Sequence, residues 1–374
     1  MMKILGMGFI AFALLMIQQW IYKRLWDRGL KVSLEFVQPS LFEGEKGELK
    51  EVIENRKHLP LSMLKVKFQT DRNLVFGDTA GSRVTDQYYR NDVFQVGGGE
   101  KITRTLTFTG RRRGYYKING IDLVAADLFM TSEMMDSRPA DRYVYIYPRP
   151  FDSREFRQSL QQLNGEILTK RHLLEDPFEY RGIREYQPYD DMRSVNWKAT
   201  ARTDELKVNQ KNYTALQTIR IFFNIEDTGI LKKEEAVEAA LRITAGLARF
   251  FLAQGIRVSC YGNGLDCVDG EPVVIGPSAG SGQMERIYKA LARVDTSRPA
   301  ACFAEQFKDR LLLEAQGTMT LFVAPNAYED FTAVVEEYIG SGQECVWYYP
   351  AWDKEDPQLP ETVKKRMKMI SVRK

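Results

Sequence analysis

Between residues 184 and 206 the chain reads REYQPYDDMRSVNWKATARTDEL, and this stretch gathers the side chains with the most chemical potential. Two adjacent carboxylates, Asp190 and Asp191, stand among Arg184, Tyr186, Arg193, Lys198 and Arg202, around a single indole, Trp197. Paired carboxylates serve as general acid and base when their surroundings hold their protonation states apart. Adjacent in sequence and just after Pro188 and Tyr189, these two are better explained as a turn and a helix cap, either one accepting from the free amides near Met192 and Arg193. The spacing predicts a short helix from Met192 to about Arg202. On it Arg193, Trp197 and Ala201 fall at i, i+4 and i+8, so the guanidinium lies against the indole and the alanine admits a neighbouring element. Arg181, Arg184 and Glu185, on an expected strand upstream, are placed to fold back onto Asp190 and Asp191 as bidentate pairs. The stretch is then a charge network that pins the domain, a partner surface built on that network, or a hydrolase site using Asp190, Asp191 or Glu226. For the last, no nucleophile and base stand at a recognisable spacing.

Other reactive material is sparse. His58 and His172 are the only histidines, too few for a histidine triad or a histidine-rich metal site. Cys260, Cys267, Cys302 and Cys345 form no CxxC pair, which predicts buried or inert thiols in a reducing compartment. A length of 374 residues accommodates two domains with separate cores. A formal charge of +3 with 28% charged residues excludes a nucleic-acid-coating or disordered chain.

The elements that must position these residues begin with MMKILGMGFIAFALLMIQQWIYKRLW. The run from Ile4 through Tyr22 is about 19 residues, enough at 1.5 Å each to cover a hydrocarbon layer of about 30 Å, with Trp20 and Tyr22 as interfacial anchors. Lys23, Arg24 and Arg28 follow the run instead of preceding it, which favours a single-span anchor over a cleavable signal peptide or a buried helix. The same cations mildly favour a cytoplasmic body at the cell membrane.

From Lys31 to Pro150 the apolar period is two: Val32, Leu34 and Phe36; Leu64, Val66 and Phe68; Ile102, Leu106 and Phe108; then Tyr143 to Tyr147. Glycine-rich joints between these runs suggest a β-sandwich over 30–150. The basic cluster Arg111 to Arg113 is read as a solvated turn, with an anionic-lipid contact as the alternative. Beyond Pro150 the pattern alternates. LQTIRIFFN reads as a buried strand, and the following helix faces inward with Val237, Leu241, Thr244, Ala248 and Phe251 before a capping Gly255. Further strands at 256–262, 318–324 and 344–349, separated by helices, predict a mostly parallel sheet covered on both faces over 151–374. Ligands of such sheets gather at the carboxyl ends of the strands. GNGLDC and GPSAGSG there lack the context of a phosphate loop.

The segment FEYRGIREYQPYDDMRSVNWKATARTDELKVNQ resembles the signature of the domain of unknown function 58 family, at Glu179, Arg184, Tyr186, Pro188, Asp190, Asp191, Arg193, Trp197, Lys198, Ala201, Arg202, Leu206 and Val208. Tyr189 stands where the family has glycine. Upstream, RRRGYYKINGIDLVAADLFM is similar to the family's strand leading to an Asp-Pro-Phe-Gly turn, with Asp127 and Phe129 kept and Leu128 and Met130 in place of proline and glycine.

The resemblance implies an α+β multidomain chain: a membrane helix over 1–29, a β-sandwich, and a von Willebrand factor A-like α/β domain. Its members look like partners of MoxR-type AAA-plus ATPases. In such a domain the first buried strand ends in oxygen ligands for Mg²⁺, and the matching positions here are Asn224, Glu226 and Thr228. The expected function is therefore a membrane-anchored, non-enzymatic adaptor with no obligatory cofactor. The alternatives are a Mg²⁺-dependent ligand-binding module and a hydrolase.

Overall fold

The computed structural model describes residues 2–78, 81–173, 180–187, 190–211, 218–229, 233–313, 318–351 and 357–372. The chain divides into two compact units, Met1–Arg149 and Pro150–Lys374.

The first unit opens with helix α1 (Met2–Leu25). Strands follow at β1 (Leu30–Phe36), β2 (Ser40–Phe42), β3 (Lys46–Asn55), β4 (Leu61–Asp71), β5 (Leu74–Phe76), β6 (Ser82–Val84), β7 (Gln87–Val96), β8 (Lys101–Gly110), β9 (Gly114–Ala126) and β10 (Glu133–Tyr147). They form a sheet ordered β1-β3-β8-β5 and another ordered β2-β10-β9-β4-β7-β6. Alternation puts Leu49 and Ile53 of β3 and Leu106 and Phe108 of β8 in one core with Leu64, Val66 and Phe68 of β4 and Ile121 and Leu123 of β9. On β10 the buried residues are Met134, Val144, Ile146 and Tyr147, while Tyr143 and Tyr145 turn outward against Tyr115.

The end of α1 belongs to this sandwich. Tyr22 and Trp26 are buried in its core, and the Tyr22 hydroxyl donates to the Pro60 carbonyl at 3.0 Å. Among the described residues, no helix is long and apolar enough to cross a membrane. The side chains of residues 1–5 lie outside that description, and the span expected from sequence counts Ile4 and Leu5 among its members. The basic cluster is not a uniformly solvated turn: Arg111 is exposed, Arg112 half-buried and Arg113 buried, with the Arg113 amide donating to Glu43 at 2.9 Å.

Inside the sandwich sits a group of ions that the period-two pattern does not announce. Arg90 on β7 has no exposed side-chain surface and donates to Asp92 at 2.5 Å and Asp78 at 3.0 Å. From the opposite sheet, Arg104 on β8 reaches Asp92 at 2.8 Å and Asp78 at 2.6 Å. Beside Arg104 in register, Glu51 on β3 is buried, and among the described residues neither carboxylate oxygen has a hydrogen-bond partner. Burial first, and then the Asp92 charge, push Glu51 up to about 7, although Arg104 and Arg90 pull the other way.

The second unit begins with α2 (Arg154–Leu173), then β11 (Tyr180–Glu185), a 3-10 turn (Met192–Ser194), α3 (Trp197–Thr203) and β12 (Lys207–Lys211). Its main body follows as β13 (Thr218–Phe223), α4 (Glu234–Ala253), β14 (Val258–Leu265), β15 (Pro272–Ser278), α5 (Ser281–Arg293) and α6 (Phe303–Leu313). It closes with β16 (Thr318–Val323), α7 (Glu329–Gly340), β17 (Cys345–Ala351), α8 (Glu361–Lys364) and β18 (Met367–Ser371). The large sheet is ordered β15-β14-β13-β16-β17-β18 and is parallel except for β15, which runs antiparallel to β14. GPSAGSG thus overlaps the end of a strand and the start of α5. The glycines of GNGLDC serve packing: a Cβ at Gly262 would enter the Phe223 ring, and one at Gly264 would stand 2.6 Å from Val294 Cγ1.

All six residues of β13 are buried, including Arg220. Its guanidinium caps the carboxyl end of α6, donating to the carbonyls of Arg310 at 3.2 Å and Leu311 at 3.0 Å, and to Thr320 and Tyr338 hydroxyls. Of the four free cysteines, Cys260 and Cys345 are buried, and burial pushes both thiols up to about 12. Cys267 is exposed and Cys302 half-buried, so burial accounts for only two of the four thiols expected to be buried or inert.

Candidate functional site

Strands β11 and β12 form a two-stranded antiparallel sheet that carries the charged stretch between them. Arg184 leaves β11 and grips Asp190 with both guanidinium arms, at 2.6 Å each. Asp190 also accepts from the Gln187 amide at 2.7 Å. The Arg184 bond, and after it the Gln187 amide, hold this carboxyl below its ordinary value. Asp191 caps the 3-10 turn, accepting from the Arg193 amide at 3.0 Å.

The single helix expected from Met192 to Arg202 is interrupted. Val195 is extended, buried, and bridged to Val208 of β12, so the chain leaves the 3-10 turn as strand. Asn196 then starts α3 afresh, its carboxamide oxygen accepting from the Ala199 amide at 3.0 Å and its nitrogen donating to Asn209 at 2.7 Å. Lys207 closes the frame, its amide donating to the Thr200 hydroxyl at 3.0 Å. This break removes the i, i+4 relation of Arg193 to Trp197, and with it the expected guanidinium–indole contact. Among the described residues Trp197 has neither a ring nor a cation partner, and it is 63% exposed. Ala201 is exposed as well.

What the frame presents is therefore an uncovered indole. Met192, Ile183 and Leu206 are also exposed on the same small assembly. Arg193, Lys198 and Arg202 are exposed, and among the described residues none of them pairs with a carboxylate. Tyr186 is half-buried, its amide donating to the Leu206 carbonyl at 2.9 Å. Glu179, Pro188 and Tyr189 lie outside the described residues. Ile183 was missed by a reading focused on charge, whereas Leu206 stood among the positions of the family resemblance; an apolar interruption in an otherwise polar strand is the signal that would have found Ile183.

The second candidate corner lies at the carboxyl end of β13, where strand order reverses between β14 and β16. Here the polar groups are spent on one another. The Asn224 carboxamide oxygen accepts from the Glu226 amide at 2.9 Å and from Asn263 Nδ2 at 2.7 Å. Asn263 also accepts from the Ile225 amide at 2.9 Å and donates to the Ala301 carbonyl at 2.8 Å. Asn326 donates to the Glu226 carbonyl at 2.9 Å, and Tyr328 to Asp227 at 3.2 Å. The Glu226 carboxylate accepts from the Phe303 amide at the start of α6; its burial, despite that bond, raises it above its ordinary value. Thr228 is exposed, its amide donating to Tyr328. Neutral Asn224 and a committed Glu226 do not fit a Mg²⁺ site, which needs several converging oxygens with free lone pairs. Among the described residues no group of three or more His, Cys, Asp or Glu converges to hold a metal. Asn263, Asn326 and Tyr328 were not singled out from sequence, because residues from the ends of two strands far apart in the chain, β14 and β16, share no local pattern.

Residues 182–310 match the family model described as protein of unknown function DUF58. The match covers about a third of the chain, from the hairpin into α6. No curated protein matches the sequence. Among solved structures, the chain is similar to the CARDB domain of a Pyrococcus furiosus protein, solved in complex with di-metal ions, at 14% identity over 31% of this chain and 93% of that one, with a TM-score of 0.21. It is also similar to a non-cellulosomal cohesin from Archaeoglobus fulgidus, at 12% identity over 31% of this chain and 91% of that one, with a TM-score of 0.22. At those TM-scores neither likeness bears on fold or function.

Proposed function

We propose that this chain is a membrane-anchored adaptor, not an enzyme, whose α/β unit is von Willebrand factor A-like and docks a partner protein through the assembly around Trp197. One observation carries this: a large indole left uncovered on a frame whose own polar groups are satisfied. Exposed tryptophan and arginine on a rigid support are what binding hot spots are made of. The parallel sheet with a reversal beside β13 supports the von Willebrand factor A-like assignment. Membrane attachment is supported by α1, which exposes Phe9, Phe12, Leu14 and Ile17 on different sides. Lys23 and Arg24 at its carboxyl end favour a cytoplasmic body. The partner class, a MoxR-type AAA-plus ATPase acting in assembly or maturation of protein complexes, follows from the family resemblance.

The test is crosslinking mass spectrometry on the membrane-bound protein, followed by Arg193→Glu and Arg202→Glu. Crosslinks from 193–202 to an ATPase, and reduced capture by the charge reversals with helicity intact, are expected. Undiminished capture would take these residues out of the interface, and lost helicity would assign them to the fold instead.

A further inference from the structure

The turn between β9 and β10 exposes three consecutive large apolar residues: Leu128 by 47%, Phe129 by 59% and Met130 by 62%. On the β9 side Ala125 and Ala126 are buried, while on the β10 side Met135 extends the apolar exposure of the turn. The turn is held out by polar bonds beneath it. Asp127, fully buried, accepts from the Thr131 amide at 2.6 Å, the Thr131 hydroxyl at 2.5 Å and the Ser132 amide at 3.1 Å. The Met130 amide returns to the Asp127 carbonyl at 3.0 Å, with Met130 in the left-handed region at φ 56°.

The base of the turn is tied to α1, where Gln19 Nε2 donates to Thr131 Oγ1 at 2.8 Å. That tie sets the tip beside the level where the apolar run of α1 gives way to glutamines, Trp20 and then Lys23 and Arg24. A protein groove would cover one side of α1, whereas its apolar residues face all round; a bilayer covers every side at once. Apolar and aromatic side chains at the level of a helix's polar exit are those that enter the interfacial layer.

We infer that Leu128, Phe129 and Met130 form a second membrane contact, inserting into the interfacial layer of the bilayer that holds α1. This rests on the membrane-anchor reading. Together the two contacts fix the tilt of the sandwich on the membrane, which a single helix does not.

The experiment uses the full chain in vesicles of phosphatidylcholine and phosphatidylglycerol, with an environment-sensitive fluorescent amino acid at position 129, at 12 in α1, or at exposed Val84 on β6. The expected result is a blue shift and loss of emission at both 129 and 12 with brominated lipids, from shallower bromines at 129, and no change at 84. Quenching at 12 with a water-like spectrum at 129 would overturn the second contact and leave the anchor standing. A water-like spectrum at both 12 and 129 would overturn the anchor, and this inference with it.

Discussion

The molecule holds two clusters of charge, and they do opposite things. In the sandwich, Arg90, Asp92 and Glu51 sit on inward faces, where Arg90 has no exposed side-chain surface and Asp92 has 4%. In the α/β unit, Arg184 and Asp190 form as short a pair, but on a hairpin where Arg184 keeps 38% of its side-chain surface in water. Bond length is thus a poor guide to consequence. The buried cluster has paid its desolvation and must stay complete, whereas the exposed one only shapes the loop that lifts Trp197 out of the surface.

Breaking the buried cluster carries the largest expected effect. Arg90→Ala leaves Asp92 without its 2.5 Å partner and Glu51 with one cation fewer, so unfolding in urea should come about 3–5 kcal/mol easier. A loss below about 1 kcal/mol would show that water reaches this cluster and that the contrast between the two regions is false.

The pH dependence sharpens the same point. Glu51 is raised from its ordinary 4.5 to about 7, so between those values the folded state keeps a proton that the unfolded chain has released. Stability should therefore fall as pH rises through that window, by up to about 3 kcal/mol at about 1.4 kcal/mol per unit, and level off above it. Glu51→Gln should flatten that part of the melting-temperature profile. A wild-type profile that rises from 4.5 to 7, with no difference in slope for the variant, would show that Glu51 is ionised and solvated.

The exposed cluster should respond the other way round. Trp197→Ala removes a side chain that is 63% exposed and has no ring or cation partner among the described residues, so stability should move by no more than about 0.5 kcal/mol. Partner affinity should drop about thirtyfold or more, which corresponds to about 2 kcal/mol. A large stability loss with unchanged partner binding, read by calorimetry and pull-down on one preparation, would return the indole to the fold.

Sequence legibility followed the same division. Period two in β4 and β8 and the unbroken run of β13 were readable because a half-buried strand and a doubly covered strand impose different patterns on apolar residues. Helix α4 was readable from its capping Gly255, which adopts φ 73°. The interruption at Val195 was not, since its cause is a bridge to Val208 that lies beyond the local window. Nor was the burial of Arg90, Glu51 or Arg220: a charged residue at an inward position reads as an error in the alternation until its partners, on other strands, are known. Charge density drew attention to 184–206, yet it said nothing about which ions had left water.

The crevice beside β13 offers the smallest effect and so the finest discrimination. A Mg²⁺ ion bound only by the folded state would raise stability by about 2.7 kcal/mol at a concentration a hundred times its dissociation constant. For that, Asn224 would have to release both Asn263 and the Glu226 amide, and Glu226 would have to leave the amino end of α6. Each release leaves a buried donor without an acceptor, a cost the cation would have to offset before any net gain appeared. The melting temperature should therefore be the same in millimolar Mg²⁺ as in chelator. A rise that saturates with Mg²⁺ and disappears in Asn263→Ala would mean that the carboxamides open to admit an ion, and that this corner, like the buried ions of the sandwich, is a site whose partners matter more than its exposure.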